Sequence, residues 1–232
     1  MVHQLLGTEK MKQKTDNVLT AIVKQVELEA KIALADSSGS HDWDHTERVR
    51  NSCVHIGMIE GANLDILALA ALLHDIARRE QDQSKGRICH AERGAEKARE
   101  LLRRHDIDIQ TIEAVAHCIE THRLKADKFP TTIEAKVLFD ADTLDGIGAI
   151  GLGRQFAFAA LIGARLHNRD VDMENGSWEY SRDDTPYRYF LARQQDIVNR
   201  MMTSEGKRLA EGRYNFMLEF FDRINKEVSG DL

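Results

Sequence analysis

The chain has 232 residues, of which 42% are hydrophobic, 30% charged and only 6% aromatic, with a formal net charge of −6. Two prolines in the whole sequence, Pro130 and Pro186, leave room for long helices, because proline breaks helix interiors. This composition excludes a collagenous, disordered or disulfide-rich chain and an all-β sandwich. The acidic balance, with no basic block, argues against duplex nucleic acid as a partner. Three cysteines, Cys53, Cys89 and Cys118, show no CxxC spacing, which fits a reducing compartment and no thiolate zinc site. The first residues lack a signal-peptide core and no run is long enough to span a bilayer, so a cytoplasmic protein is expected.

Leu19, Ile22, Val23, Val26, Ala30 and Ala33 recur at helical spacing and predict a first amphipathic helix, ending in the turn-rich Asp36–Ser40. A second helix is expected to carry Val49, Cys53, Ile56 and Ile59 on one stripe and to stop near Gly61. Asp65–Arg79 reads as one helix, apolar almost all round and therefore central. The polar stretch Gln81–Ile88 reads as a loop, followed by helices over about Ala91–Arg104 and Ile109–Thr121. After Pro130 a long helical stretch is expected from about Thr132 to Leu166, with an interruption in the glycine-rich run Gly146–Gly153. Asn168–Thr185 reads as a long polar insertion, and the last two helices start near Pro186 and Ser204. The expected architecture is all-α, a single domain over 1–232, with a core about 20–166 and a C-terminal helical extension about 186–228.

Within this frame the acids and histidines stand out. His74-Asp75 lies inside the apolar central helix, where a carboxylate needs a hydrogen-bonded partner or a metal. Ser40-His41-Asp42-Trp43-Asp44-His45 opens a helix 29 residues upstream of His74. Phe139-Asp140-Ala141-Asp142-Thr143-Leu144-Asp145 places Asp142 and Asp145 three apart on a helix that Leu144, Ile147 and Ile150 mark as partly core.

The order His45, His74-Asp75, Asp142 resembles the H…HD…D signature of the HD-domain superfamily of metal-dependent phosphohydrolases. The segments DWDHTERVR, ALAALLHDIA and DADTLDGIGAIG carry the likeness, which continues into MMTSEGKRLAEGRYNFMLEFF and so covers nearly the whole chain. It is nearest to small single-domain members, some of which are nucleoside triphosphate pyrophosphohydrolases. The resemblance implies a compact HD-domain helical bundle in which His45, His74, Asp75 and Asp142 bind a divalent transition metal. Such a mixed N/O set suits Mn²⁺ first, with Fe²⁺, Co²⁺, Ni²⁺, Zn²⁺ or Mg²⁺ as alternatives. The expected reaction is hydrolysis of a phosphate ester or anhydride, of a nucleotide above all, by a metal-activated hydroxide.

His90 and His122 fall where two-metal members place extra ligands, and three readings stay open: a second metal, phosphate-binding imidazoles, or surface. Phosphate contact is the first of these, shared with Arg78, Lys85 and Arg123. His117 and Glu120 share a helix face and read as supporting groups, whereas His41, His55, His105 and His167 read as structural or exposed. Some HD nucleotidases carry a catalytic glutamate four residues after the HD histidine; that position here is Arg78, so Asp145 is the candidate helper beside Asp75. Two rival readings are a di-iron oxygenase on the same fold and a nucleotide sensor that binds without cleaving. The expected partner is a small phosphorylated molecule, with no membrane and a homodimer left open.

Overall fold

A computed structural model describes residues 20–35, 42–123, 128–170 and 178–232, and among them there are helices, turns and no strands. The chain divides into two compact units, Met1–Leu138 and Phe139–Leu232.

The first unit begins with helix α1 (20–34), which buries Val26 and Ala30 of the expected stripe, leaves Ile22, Val23 and Ala33 half-buried, and buries Leu34 in addition; Leu19 and His41 lie outside the described residues. Helix α2 (Trp43–Glu60) is held beside it by an Arg50–Glu27 hydrogen bond of 3.0 Å and by Lys31 over the Trp43 ring. Asp42 caps α2, its carboxylate accepting from His45 N at 2.9 Å, which fixes His45 in the first turn. At the other end Gly61 adopts φ +71°, the left-handed conformation in which glycine meets no steric penalty, and Ala62 N–H bonds back to Gly57 O.

Helix α3 (Leu64–Leu73), capped by Asn63, then returns across α2. A Cβ on Gly57 would meet Leu67 Cδ1 at 2.5 Å, so the helices cross at this glycine. This crossing corrects the expected stripe: the buried face of α2 runs through Val49, Cys53, Ile56 and Gly57, and Ile59 is turned outward, 59% exposed.

The central helix is also corrected. It does not run unbroken to Arg79; it stops at Leu73, and His74–Ala77 form a tight turn with Ile76 N→Leu73 O and Arg78 N→Asp75 O bonds. The His74 ring contributes to this break by engaging Ala71 O through Nδ1 at 2.8 Å. Helix α4 (Arg78–Gln83) follows, taking the first part of the stretch expected to be loop. Helices α5 (His90–Arg103) and α6 (Ile109–Thr121) pack on each other, and α6 packs on α3. Their shared core is built from Leu69, Leu72, Ala95, Leu102, Val115 and Ile119.

Helix α7 (Ile133–Leu144) carries the chain from the first unit into the second. The chain breaks at 145–147, at the start of the glycine-rich run rather than across it, and α8 (Gly148–Leu161) follows, ending short of the expected Leu166 and packing against the long α11 (Ser204–Ser229). Three anchors fix this second unit. Arg213 NH1 donates to Leu144 O, and Gly148 N–H donates to Met217 Sδ at 3.1 Å. Asp140, fully buried, accepts from Met202 N, Thr203 N and Thr203 Oγ1 at 2.9, 2.8 and 2.6 Å, which ties α7 to the start of α11.

The middle of the polar insertion, 171–177, lies outside the described residues. Its ends are anchored: Thr185 Oγ1 donates to Asn168 Oδ1, both buried, and Thr185 caps α9 (Pro186–Tyr189). A π turn (Phe190–Gln194), which the periodicity does not announce, joins α9 to α10 (Gln195–Asn199).

Candidate metal centre

Four imidazoles and one carboxylate meet in the first unit, each delivered by a different local device. His45 comes from the capped first turn of α2, His74 and Asp75 from the break after α3, His90 from the first residue of α5, and His122 from the residue after α6. All five are buried, Asp75 to 2% exposure. The rings follow one another, with centroids 5.2 Å apart for His45–His74 and His74–His122 and 5.1 Å for His90–His122.

The ring nitrogens show what this cluster can hold. His74 Nδ1 faces Ala71 O at 2.8 Å and His122 Nδ1 faces Ile119 O at 2.6 Å. A carbonyl only accepts, so each Nδ1 carries a proton, and in the neutral ring each Nε2 presents a lone pair. His90 follows the same rule: Gln81 Oε1 accepts from its backbone N–H at 3.2 Å and from Nδ1 at 2.8 Å. The Nε2 atoms then point at one another, 3.2 Å between His45 and His74 and 3.2 Å between His90 and His122.

Asp75 lies among them, with Oδ1 3.1 Å from His90 Nε2 and 3.9 Å from His122 Nε2. Its Oδ2 is 3.7 Å from His74 Nε2 and 3.8 Å from His45 Nε2. Lone pairs of neutral imidazoles converging on a buried carboxylate repel unless a cation sits among them. Three of the four rings, His74, His90 and His122, have Nδ1 held by an acceptor that aims Nε2 inward, the arrangement that outer groups give to metal-binding histidines. The Asp75, His90 and His122 ligand atoms all lie within 4.8 Å of one another, so a metal fits the residues present.

The remaining predicted residues take varied places. Asp142 sits half-buried on α7 in the second unit. Asp145 is buried and paired with Arg154, NH1 to Oδ2 at 2.6 Å. Arg78 is mostly enclosed, with Nε lacking a hydrogen-bond partner, 3.7 Å from Asp82 Oδ1, and with NH1 3.5 Å from His90 Nδ1. Lys85 is exposed in the turn after α4. Arg123 donates to Cys89 Sγ at 3.2 Å; backbone N–H groups at the start of α5 and this guanidinium outweigh burial and lower the thiol pKa.

His117 accepts from Thr131, Glu120 pairs with Lys128, and His105 pairs with Glu29. Sequence reasoning missed Gln81, which holds His90; a glutamine within a polar stretch gives no signal until its partner is known.

Comparison with known proteins places these residues in a family. The HD domain family model matches residues 42–147, a span containing His45, His74-Asp75, His90, His122 and Asp142. The uncharacterized protein YpgQ of Bacillus subtilis is 31% identical over 211 residues, covering 89% of this chain and 94% of that protein. The crystal structure of YpgQ in complex with ADP superposes with a TM-score of 0.70 at 28% identity, over 90% of this chain and 96% of that one. A predicted HD superfamily hydrolase from an uncultured Thermotogales bacterium gives a TM-score of 0.64 at 28% identity, over 88% and 91% of the two chains. An HD-superfamily hydrolase from Bacillus thuringiensis gives 0.73 at 25% identity, over 91% and 98%. A histidine-rich metal-type cluster, a matching domain model and a relative aligned along nearly its whole length agree, and the chain belongs to the HD-domain superfamily.

Proposed function

We propose that this chain is a metal-dependent phosphohydrolase acting on a phosphate ester or anhydride of a nucleotide. The observation that carries the reading is the buried cluster in which the Nε2 atoms of four histidines converge on Asp75. We assign His45, His74, Asp75 and Asp142 to a divalent transition ion, Mn²⁺ first, as the family signature implies. A bound ion of this kind acidifies water and polarises a phosphoryl group.

The protein's own groups prepare that chemistry. Ala71 O, Ile119 O and Gln81 Oε1 hold three rings in the tautomer that offers Nε2. The buried apolar faces of α3, α5 and α6 enclose the cluster and limit stray water. Arg78, with an unmet Nε donor beside His90, is the side chain we assign to a substrate phosphate oxygen. Lys85 and Arg123 remain proposed contributors of positive charge, and Asp145 a proposed helper.

A nucleotide is favoured because the relative YpgQ has been crystallised with ADP. The shared Asp75 also favours a second ion: Asp75, His90 and His122 form a three-ligand group by themselves. His90 and His122, read from sequence first as phosphate contacts, are therefore proposed as ligands.

The test is turnover of mono-, di- and triphosphates, ribo and deoxy, by metal-stripped protein resupplied with Mn²⁺, Co²⁺, Ni²⁺ or Mg²⁺. Phosphate is assayed with and without added pyrophosphatase, beside His74→Ala. Metal-dependent release that disappears in the variant supports the reading, and the pyrophosphatase difference locates the scissile bond. No release across the panel, with nucleotide still bound, would leave a sensor instead.

A further inference from the structure

Helix α4 has six residues and none of them is buried, so apolar packing does not seat it. Polar bonds to α5 do. Glu80 accepts from Arg93 Nε at 2.9 Å and from Lys97 Nζ at 2.7 Å, and Gln81 holds His90. The same Lys97 Nζ lies 3.4 Å from Ile76 O, in the turn that carries His74 and Asp75. One ammonium thus joins three pieces of backbone: the turn with Asp75, α4 with Gln81, and α5 with His90.

The register of α5 makes this possible. His90, Gly94 and Lys97 are spaced four and three residues apart and share one face of the helix. That face lies along the turn: a Cβ on Gly94 would stand 3.4 Å from His74 O, and Lys97 reaches Ile76 O. Asp75 Oδ1 is 3.1 Å from His90 Nε2, so the seating of the turn on α5 sets a contact inside the cluster. Beside Ile76 and Lys97 a groove of about 390 Å³ opens between α1 and α5, so packing does not close the turn from that side. An ordinary surface ion pair contributes little. The third partner, a backbone carbonyl next to Asp75, separates Lys97 from such a pair.

We propose that Lys97 is a positioning residue of the metal centre, its ammonium holding Asp75 and Gln81 at the spacing from His90 that a bound ion requires. This rests on the metal reading above and extends it to a residue that is not itself a ligand. A lysine suits the place because its three N–H donors serve Ile76 O and Glu80 at once. Outer groups of this kind change metal affinity by roughly 10–100-fold. Lys97 also carries a positive charge, which by itself opposes the binding of a cation nearby. Positioning and charge therefore act in opposite directions, and the sign of one affinity change separates them.

The experiment is calorimetric titration of the metal-stripped full chain with Mn²⁺ alone, beside urea unfolding of the same metal-free proteins. Lys97→Met keeps the aliphatic stem and removes the ammonium; Lys97→Gln, uncharged and one bond shorter, serves if the first variant does not fold. Lys97→Arg keeps the charge and the donors. The expected result is about tenfold weaker Mn²⁺ binding in Lys97→Met, most of it recovered in Lys97→Arg, with the urea midpoint little changed. Equal or tighter Mn²⁺ binding by Lys97→Met overturns the proposal, leaves the metal reading intact, and returns Lys97 to a surface charge. Weaker binding with a marked fall in the urea midpoint also overturns it, since a loosened fold then accounts for both. A parent that takes up no Mn²⁺ sinks the metal reading, and the proposal with it.

Discussion

His90 Nε2 faces His122 Nε2 at 3.2 Å while the Nδ1 atoms of both rings are already engaged, by Gln81 Oε1 and Ile119 O. Two imidazoles so oriented cannot hydrogen-bond to each other as neutral rings, and Asp75 Oδ1 stands 3.1 Å from the first of them. If a second ion fills this corner, metal-stripped protein takes up two equivalents of Mn²⁺ per chain. His122→Ala should lower that count to one while keeping the helical circular-dichroism signal. A count of one in both proteins would remove the second ion.

Asp75 touches both corners of the cluster, so it is the residue on which both assignments depend. Asp75→Asn keeps the shape and removes the charge. Metal uptake at micromolar Mn²⁺ and turnover should both be lost, with the fold retained, and His74→Ala should behave alike. Metal uptake and activity retained by either variant would refute the centre.

Arg78 stands four residues after His74, and its enclosed Nε has no hydrogen-bond partner. Loss of a phosphate contact should appear chiefly in KM: about tenfold higher for Arg78→Ala at nearly unchanged kcat, a difference of about 1.4 kcal/mol. Arg78→Lys should recover little, because an ammonium lacks the planar fork. A fall in kcat with constant KM would instead give Arg78 a role in the transition state.

His74 and Asp75 stood out in the sequence because a His-Asp pair inside an apolar run is chemically expensive and therefore conspicuous. Caps were legible too, since Gly61 and Pro186 act through their own backbone chemistry. The break at His74–Ala77 was not, because an apolar run reads the same whether or not a side chain takes its carbonyl. Ile59 was misplaced because the crossing of α2 and α3 is set by Gly57, a tertiary contact that periodicity does not contain. Gln81, Lys97 and the Asn168–Thr185 pair likewise acquire meaning only through their surroundings.

Gly206 tests how α11 is seated. It lies in the first turn of α11, its N–H donating to the Thr203 cap at 3.0 Å, directly over the Asp140 carboxylate. A Cβ there would collide with Asp140 Oδ2 and come within 2.7 Å of Thr203 Oγ1. Alanine normally favours a helix over glycine, yet Gly206→Ala should destabilise the protein by about 1–3 kcal/mol in urea unfolding, through overpacking. A stabilised variant would show that the Asp140–Thr203 contact yields easily.

His167 gives a pH dependence whose sign can be worked out. Its Nε2 is 2.9 Å from Asn225 Oδ1, and Nδ1 is buried with no hydrogen-bond partner. Desolvation lowers its pKa below the ordinary 6.5, and the nearby Arg169 charge acts in the same direction. The unfolded chain therefore binds a proton more readily than the folded one. The stability this histidine contributes is fully present above pH 6.5 and is lost as pH falls from there through the lower folded value. His167→Gln retains a donor for Asn225 without the titrating ring, so its unfolding free energy should decline less than that of the parent between about pH 6.5 and 5. The Glu27 and Glu80 carboxylates, held down by hydrogen bonds from Lys31 and Lys97, lose their contributions only lower, from about pH 4.5 downward. Parallel stability curves for parent and variant down to pH 5 would show that His167 accepts its proton in the folded protein without cost.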